Sequence, residues 1–214
     1  GSTEYHNFHH SLEVSYMTLK MLPNTINNYR FSADDIEILL VAALLHDYDP
    51  LQFTYNGNSS EPENNGYPEQ GSNIRPSVGP RVHRTIETIQ RYQIHDAYFK
   101  LDQPNLERVL ENFSFKFSIR PDILTQTADI EKSDKSLIVE ALIWRTDFPY
   151  FKQETAKKKY KELLAEINVK GHDIGRINIL AEVLWLSDLS VTYMGSDPIR
   201  AWNRVTNLYD ELFL

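Results

Sequence analysis

The sequence predicts an all-α protein. Three observations carry that reading: apolar residues recur at helical spacing in segment after segment, no stretch sustains an alternation of period two, and the runs from Ile36 to Leu45 and from Ile179 to Leu186 are apolar nearly all round, as buried helices are. There is no internal repeat. At 214 residues the chain suits a single domain, residues 1–214, with a sizeable core.

Taken in order, Leu12 to Leu22 carries Leu12, Tyr16, Leu19, Met21 and Leu22 at roughly helical spacing, with Pro23 and Asn24 as the expected stop. Ser32 reads as an N-cap, with Asp34 and Asp35 placed in the first turn where the helix dipole favours acids. The helix it opens, through Leu45, is the expected central one. Residues 53–80 hold four of the eight glycines and four of the ten prolines, so they read as a long flexible loop following the central helix. Pro80 suits a first helical turn, and Val82, Ile86, Ile89 and Tyr92 to Ile94 continue that helix. Pro104 opens another, with Leu106, Val109, Leu110 and Phe113 on one face, and Ile123–Ile130 and Ser136–Trp144 are predicted helical. Phe151–Ile167 reads as a lysine-rich exposed helix, Asp173–Ser190 as a second buried one, and Asp197–Phe213 as the last.

Composition narrows the function. Hydrophobic residues make up 41% and aromatics 12%, which marks a folded chain and not a disordered one. A formal net charge of -8 repels nucleic acid, and Lys157–Lys159 is the only dense basic run. The chain has no cysteine, which excludes disulfides, thiolate metal sites and cysteine nucleophiles. Any metal must then be held by His, Asp and Glu, a donor set that favours zinc, manganese, magnesium or iron. With no run of about 18 apolar residues and no signal peptide, the expectation is a cytoplasmic protein without a membrane partner. Gly1-Ser2 looks like a cloning scar, and the first candidate ligand follows within a few residues, so the chain reads as a piece of a longer protein.

Three stretches carry the chemistry: Tyr5-His6-Asn7-Phe8-His9-His10, then Leu44-Leu45-His46-Asp47, then Leu186-Ser187-Asp188-Leu189-Ser190. His6 and His10 are four apart and share a face if the first helix starts early enough. His46 and Asp47 end the most apolar helix, where two ionisable side chains need a partner and the helix C-terminus attracts a cation. Asp188 sits late in the second apolar helix, where a carboxylate also needs a charged partner. Glu13 and Asp49 are expected to orient histidines. His83 and His95 read as surface or core-satisfied histidines, with an extra-ligand role as the alternative.

The order His…His-Asp…Asp on a helical chain resembles the HD superfamily of metal-dependent phosphohydrolases, and most closely the catalytic domain of class I cyclic-nucleotide phosphodiesterases. Tyr5-His6-Asn7-Phe8-His9-His10-Ser11-Leu12-Glu13-Val14 is similar to that family's Tyr-His-Asn-x-x-His-Ala-x-Asp-Val signature. Ala42-Ala43-Leu44-Leu45-His46-Asp47-Tyr48-Asp49 resembles its His-Asp segment, Arg145-Thr146-Asp147 its Ala-Thr-Asp, and Ser187-Asp188-Leu189-Ser190 its Cys-Asp-Leu-Ser. The resemblance implies an HD-type helical bundle with one long loop after the His-Asp motif. It implies a divalent ion (Mn, Fe, Zn, Mg, Ni or Co) on His10, His46, Asp47 and Asp188, with Asp47 bridging to a second ion. It also implies metal-activated hydroxide as nucleophile and His6 as the general acid that protonates the leaving oxygen. Asp147 matches a supporting position with no ligand role.

The implied substrate is a phosphorylated small molecule, a phosphoester whose class includes nucleotides and cyclic nucleotides. Pro50 stands where the family carries a histidine, and no residue before Leu214 matches its base-reading glutamine. Those two departures favour an alternative: a catalytically weak HD module that binds a ligand or partner in a signalling protein. The retained His6 and the complete four-ligand set favour the enzyme.

Overall fold

The computed structural model describes residues 8–25, 31–48, 78–92, 94, 130–147, 150–193 and 198–213. Among them are seven helices and no strand: α1 (Phe8–Thr25), α2 (Ala33–Leu45), α3 (Val78–Tyr92), α4 (Lys132–Arg145), a 3-10 turn at Tyr150–Lys152, α5 (Glu154–Val169), α6 (Ile174–Tyr193) and α7 (Pro198–Phe213). The all-α expectation holds. None of the described helices is long and apolar enough to cross a membrane.

Several boundaries differ from expectation, those of α1 and of the loop before α3 among them. Helix α1 begins at Phe8, ahead of Leu12, and runs past Pro23 to Thr25. Proline so near the end removes at most one late hydrogen bond, so it does not stop the helix where it stands. The loop expected to reach Pro80 gives way to helix at Val78. Residues 53–77 of that loop, the helix expected from Pro104 to Phe113 and residues 123–129 lie outside the described residues, and Ile130 is not helical.

Local rules account for the helices. Ser32 caps α2 in a reciprocal box: its Oγ accepts from Asp35 N–H at 3.2 Å, and Asp35 Oδ2 accepts from Ser32 N–H at 2.6 Å. On α1 the buried positions are 10, 11, 14, 15, 18, 19 and 22, one continuous stripe. Its hydroxyls are satisfied by the helix's own carbonyls, Ser15 to Ser11 at 2.8 Å and Thr18 to Ser15 at 2.7 Å. These small residues face α2 and α6, the helices α1 packs on. Helix α5 is mostly exposed and buries only Ala156, Tyr160 and Ile167.

Helices α2, α4 and α6 form the centre, and they run parallel. At their N-terminal ends Lys135 Nζ lies 2.6 Å from Asp34 and 2.7 Å from Glu37, and Arg176 Nη1 lies 3.3 Å from Asp35. All three acids are buried, although the sequence placed Asp34 and Asp35 only as favourable first-turn charges. Burial opposes the charge on Lys135, but its hydrogen bonds to Asp34 and Glu37 win and hold its pKa above the ordinary lysine value. Since the N-terminal ends are level, the C-terminal ends of α2 and α4 come level with the stretch of α6 that carries Glu182 to Asp188. Asp35 to Asp47 and Arg176 to Asp188 are equal intervals in sequence, each rising about 18 Å along a helix. Arg145, late in α4, meets Glu182 and Trp185 of α6 accordingly.

Lys135→Met should therefore destabilise the protein by about 3–5 kcal/mol in urea unfolding at neutral pH, because it strands two buried carboxylates. A loss below about 1 kcal/mol would mean the cluster behaves as a solvated surface pair.

Candidate metal centre

The end of α2 and the adjoining stretch of α6 bring three of the sequence-predicted ligands, His46, Asp47 and Asp188, onto the first turn of α1. Helix α2 stops at Leu45, and His46 is its C-cap with φ -57° and ψ -31°. The ring turns back so that Nδ1 donates to Ala43 O at 2.7 Å, satisfying one of the carbonyls that a helix end leaves open. A carbonyl only accepts, so Nδ1 carries the proton and Nε2 of the neutral ring carries a lone pair.

That lone pair faces carboxylate oxygens. Asp47 Oδ2 is 3.2 Å from His46 Nε2 and Asp188 Oδ1 is 3.6 Å from it. His10 Nε2 lies 3.3 Å from Asp47 Oδ2 and 3.0 Å from Asp188 Oδ1. The two imidazoles stand 5.4 Å apart between centroids, tilted at 51°. His46 is 1% exposed and His10 4%, so water does not compensate them. His46 Nε2 is buried without a hydrogen bond of acceptable geometry, a costly state unless something else fills its direction.

The charges show the same demand. Burial works to lower both histidine pKa values, yet the hydrogen bonds and charges of Asp188 and Asp47 raise His10, and Asp47 with Asp188 raises His46 well above the ordinary value. Burial would raise Asp188, but the hydrogen bond to His10 and the two imidazoles beside it hold it well below the usual carboxylate range. The pole favours positive charge, whether as protons or as a cation.

His10, His46 and Asp47 offer ligand atoms within 4.8 Å of one another and could hold a metal ion. The geometry suits one ion: ligands about 2.1 Å from a metal at tetrahedral or octahedral angles sit about 3.0–3.4 Å apart, and three of the four distances above fall in that range. Two imidazole nitrogens and two carboxylate oxygens are a donor set for first-row divalent ions.

The other candidates fall elsewhere. His6, Asp49, Pro50 and His95 lie outside the described residues. His83 is exposed on α3, 3.2 Å from Glu87, with its ring edge-on to Trp144. Glu13, expected to orient a histidine, is instead ion-paired to Arg204 of α7, because it lies off the buried stripe that carries His10. Asp147 follows α4 directly and is 3% exposed, with Oδ1 unpartnered, and burial pushes its pKa up to about 6. The sequence reading missed Arg145, which stacks between Tyr150 and Trp185; its position just before Thr146-Asp147 was the available signal.

Set against known proteins, the chain matches no family model, no curated protein and no solved structure.

Asp147 yields a pH prediction. Its folded pKa is raised, so the folded state binds the proton more tightly than the unfolded chain, and the penalty for the charge is full above about pH 6 and fades as pH falls toward 4. Asp147→Asn should be more stable than wild type by roughly 2–3 kcal/mol at pH 8, with the difference gone near pH 4. Unfolding curves at pH 8, 6 and 4 test this, and a pH-independent difference would refute it.

Proposed function

We propose that this protein is an HD-type metal-dependent phosphohydrolase acting on a phosphoester of a small molecule, nucleotides included. The observation that carries the reading is the quartet around two buried imidazoles, above all the His46 ring, whose Nδ1–H is tied to Ala43 O while Nε2 is left without a hydrogen bond. A purely structural histidine pair would satisfy both ring nitrogens, whereas an imidazole anchored through one nitrogen and open at the other is arranged as a metal ligand usually is. The order of His6, His10, His46-Asp47 and Asp188, which resembles the phosphodiesterase signature, supports the same reading.

On this proposal His10, His46, Asp47 and Asp188 would hold one divalent ion, with Mn, Fe, Zn, Co, Ni and Mg as candidates. Such an ion supplies a Lewis acid for a phosphoryl oxygen and lowers the pKa of bound water. The residues divide the remaining work. His46 would present Nε2, its ring fixed by the Nδ1–H bond to Ala43 O, and His10 would present its own Nε2. Asp47 and Asp188 bring the negative charge that makes the site select a cation. His6 delivers a proton to the leaving oxygen, the role that its place at the head of the signature implies.

Purified protein should carry a divalent ion, and His46→Ala should lose most of it; unchanged metal content in that variant would sink the assignment. His6→Ala should keep the metal but lose on the order of 10²–10⁴ in rate on an alkyl phosphoester. The loss should shrink for a nitrophenyl ester, whose leaving group needs no proton. Equal losses on both would remove His6 from the acid role. If no phosphoester turns over with Mn, Mg, Fe or Co while metal stays bound, the ligand-binding module is the better reading.

A further inference from the structure

Five buried side-chain polar atoms among the described residues have no hydrogen-bond partner: His46 Nε2, Thr85 Oγ1, Arg145 Nη1, Asp147 Oδ1 and Trp185 Nε1. Thr85 is on α3, while the other four belong to α2, α4 and α6 or the turns that end them. A cation accounts for His46. Arg145 and Trp185 are two leftover donors, and they belong to one stack.

The guanidinium of Arg145 is held from three sides. Its carbon lies 4.4 Å from the Trp185 ring centroid and 4.2 Å from that of Tyr150, and Nη2 donates to Glu182 Oε1 at 2.7 Å. Stacking suits the planar arginine head and would not suit lysine. With the head fixed this way, Nη1 is the part left buried and without a hydrogen bond, a pre-positioned donor for an oxyanion. Trp185 comes three residues before Asp188 on α6, a rise of about 4.5 Å, on an adjacent part of the helix surface. The stack and the quartet thus occupy neighbouring turns of α6.

We propose that Arg145, together with the Trp185 indole N–H, binds a second, non-scissile phosphate of the substrate whose reacting phosphoryl group lies at the His10–His46–Asp47–Asp188 quartet. The inference rests on the phosphohydrolase reading and narrows it to esters that carry two anionic phosphoryl groups. Charge supports this: the chain has a formal net charge of -8 and the quartet includes two carboxylates. A doubly anionic ligand therefore needs fixed positive charge besides a metal.

The test is calorimetric titration of wild type, Arg145→Gln and Glu182→Gln with inorganic pyrophosphate and with orthophosphate, each with Mn and after chelation. Pyrophosphate should bind more tightly than orthophosphate, and Arg145→Gln should weaken pyrophosphate on the order of 10–100-fold, more than it weakens orthophosphate. Glu182→Gln should tighten pyrophosphate, because it removes the carboxylate that competes for the guanidinium. A merely structural ion pair would instead give equal thermal destabilisation in both variants and no change in the pyrophosphate-to-orthophosphate ratio, and that result overturns the proposal. The two readings fail separately. Arg145-dependent pyrophosphate binding that survives chelation in a protein with no metal affinity keeps the anion site and sinks the metal centre. Metal-dependent orthophosphate binding with no pyrophosphate preference does the reverse.

Discussion

The functional pole depends on the register of three parallel helices, and buried ion pairs at the opposite pole hold that register. Lys135 between Asp34 and Glu37 locks α4 to α2, and Arg176 on Asp35 locks α6 to α2. Apolar surfaces tolerate sliding. A buried carboxylate separated from its ammonium or guanidinium does not, because the uncompensated charge costs several kcal/mol. A slip of one residue turns a helix by about 100° and moves it about 1.5 Å. That would carry Asp188 away from His10, which it meets at 3.0 Å.

The two poles are charged on different principles. At the N-terminal pole every buried acid has a basic side chain or a backbone N–H beside it: Lys135 for Asp34 and Glu37, Arg176 and Ser32 for Asp35, and the Ile130 N–H for Asp34. At the C-terminal pole Asp47 and Asp188 face the imidazoles of His10 and His46, which are charged only when they take up protons. The ends of α2 and α4 add the partial negative charge of helix C-termini. One pole is internally balanced and serves stability. The other sets two carboxylates against two imidazoles.

Helix α1 makes the second pole possible. Its buried stripe is rich in small hydroxyl residues that bond to their own helix, so it can lie against α2 and α6 without stranding polar groups. His10 is the member of the stripe that reaches across to Asp188. Arg145 is a comparable case on α4, held by two rings and one carboxylate with Nη1 left over.

Much of this was legible in the sequence because it is local. The Ser32 cap, the apolar run from Ile36 to Leu45, the lysine-rich α5 and the near-limits of α6 follow from periodicity and capping, which act over one or two turns. The candidates His10, His46, Asp47 and Asp188 were legible because ionisable residues ending or interrupting apolar helices stand out. What the chain alone left open was which charges would be buried and which ends would meet. Asp34 and Asp35 read as first-turn acids favoured by the helix dipole, and Glu13 as a partner for histidine; the first two are buried against basic side chains and the last pairs with Arg204. These outcomes turn on contacts between residues far apart in sequence, 178 positions in the case of His10 and Asp188. Helical periodicity sets only the face on which a side chain lies. The partner that face receives is chosen by how helices pack in register, and only the folded chain decides that.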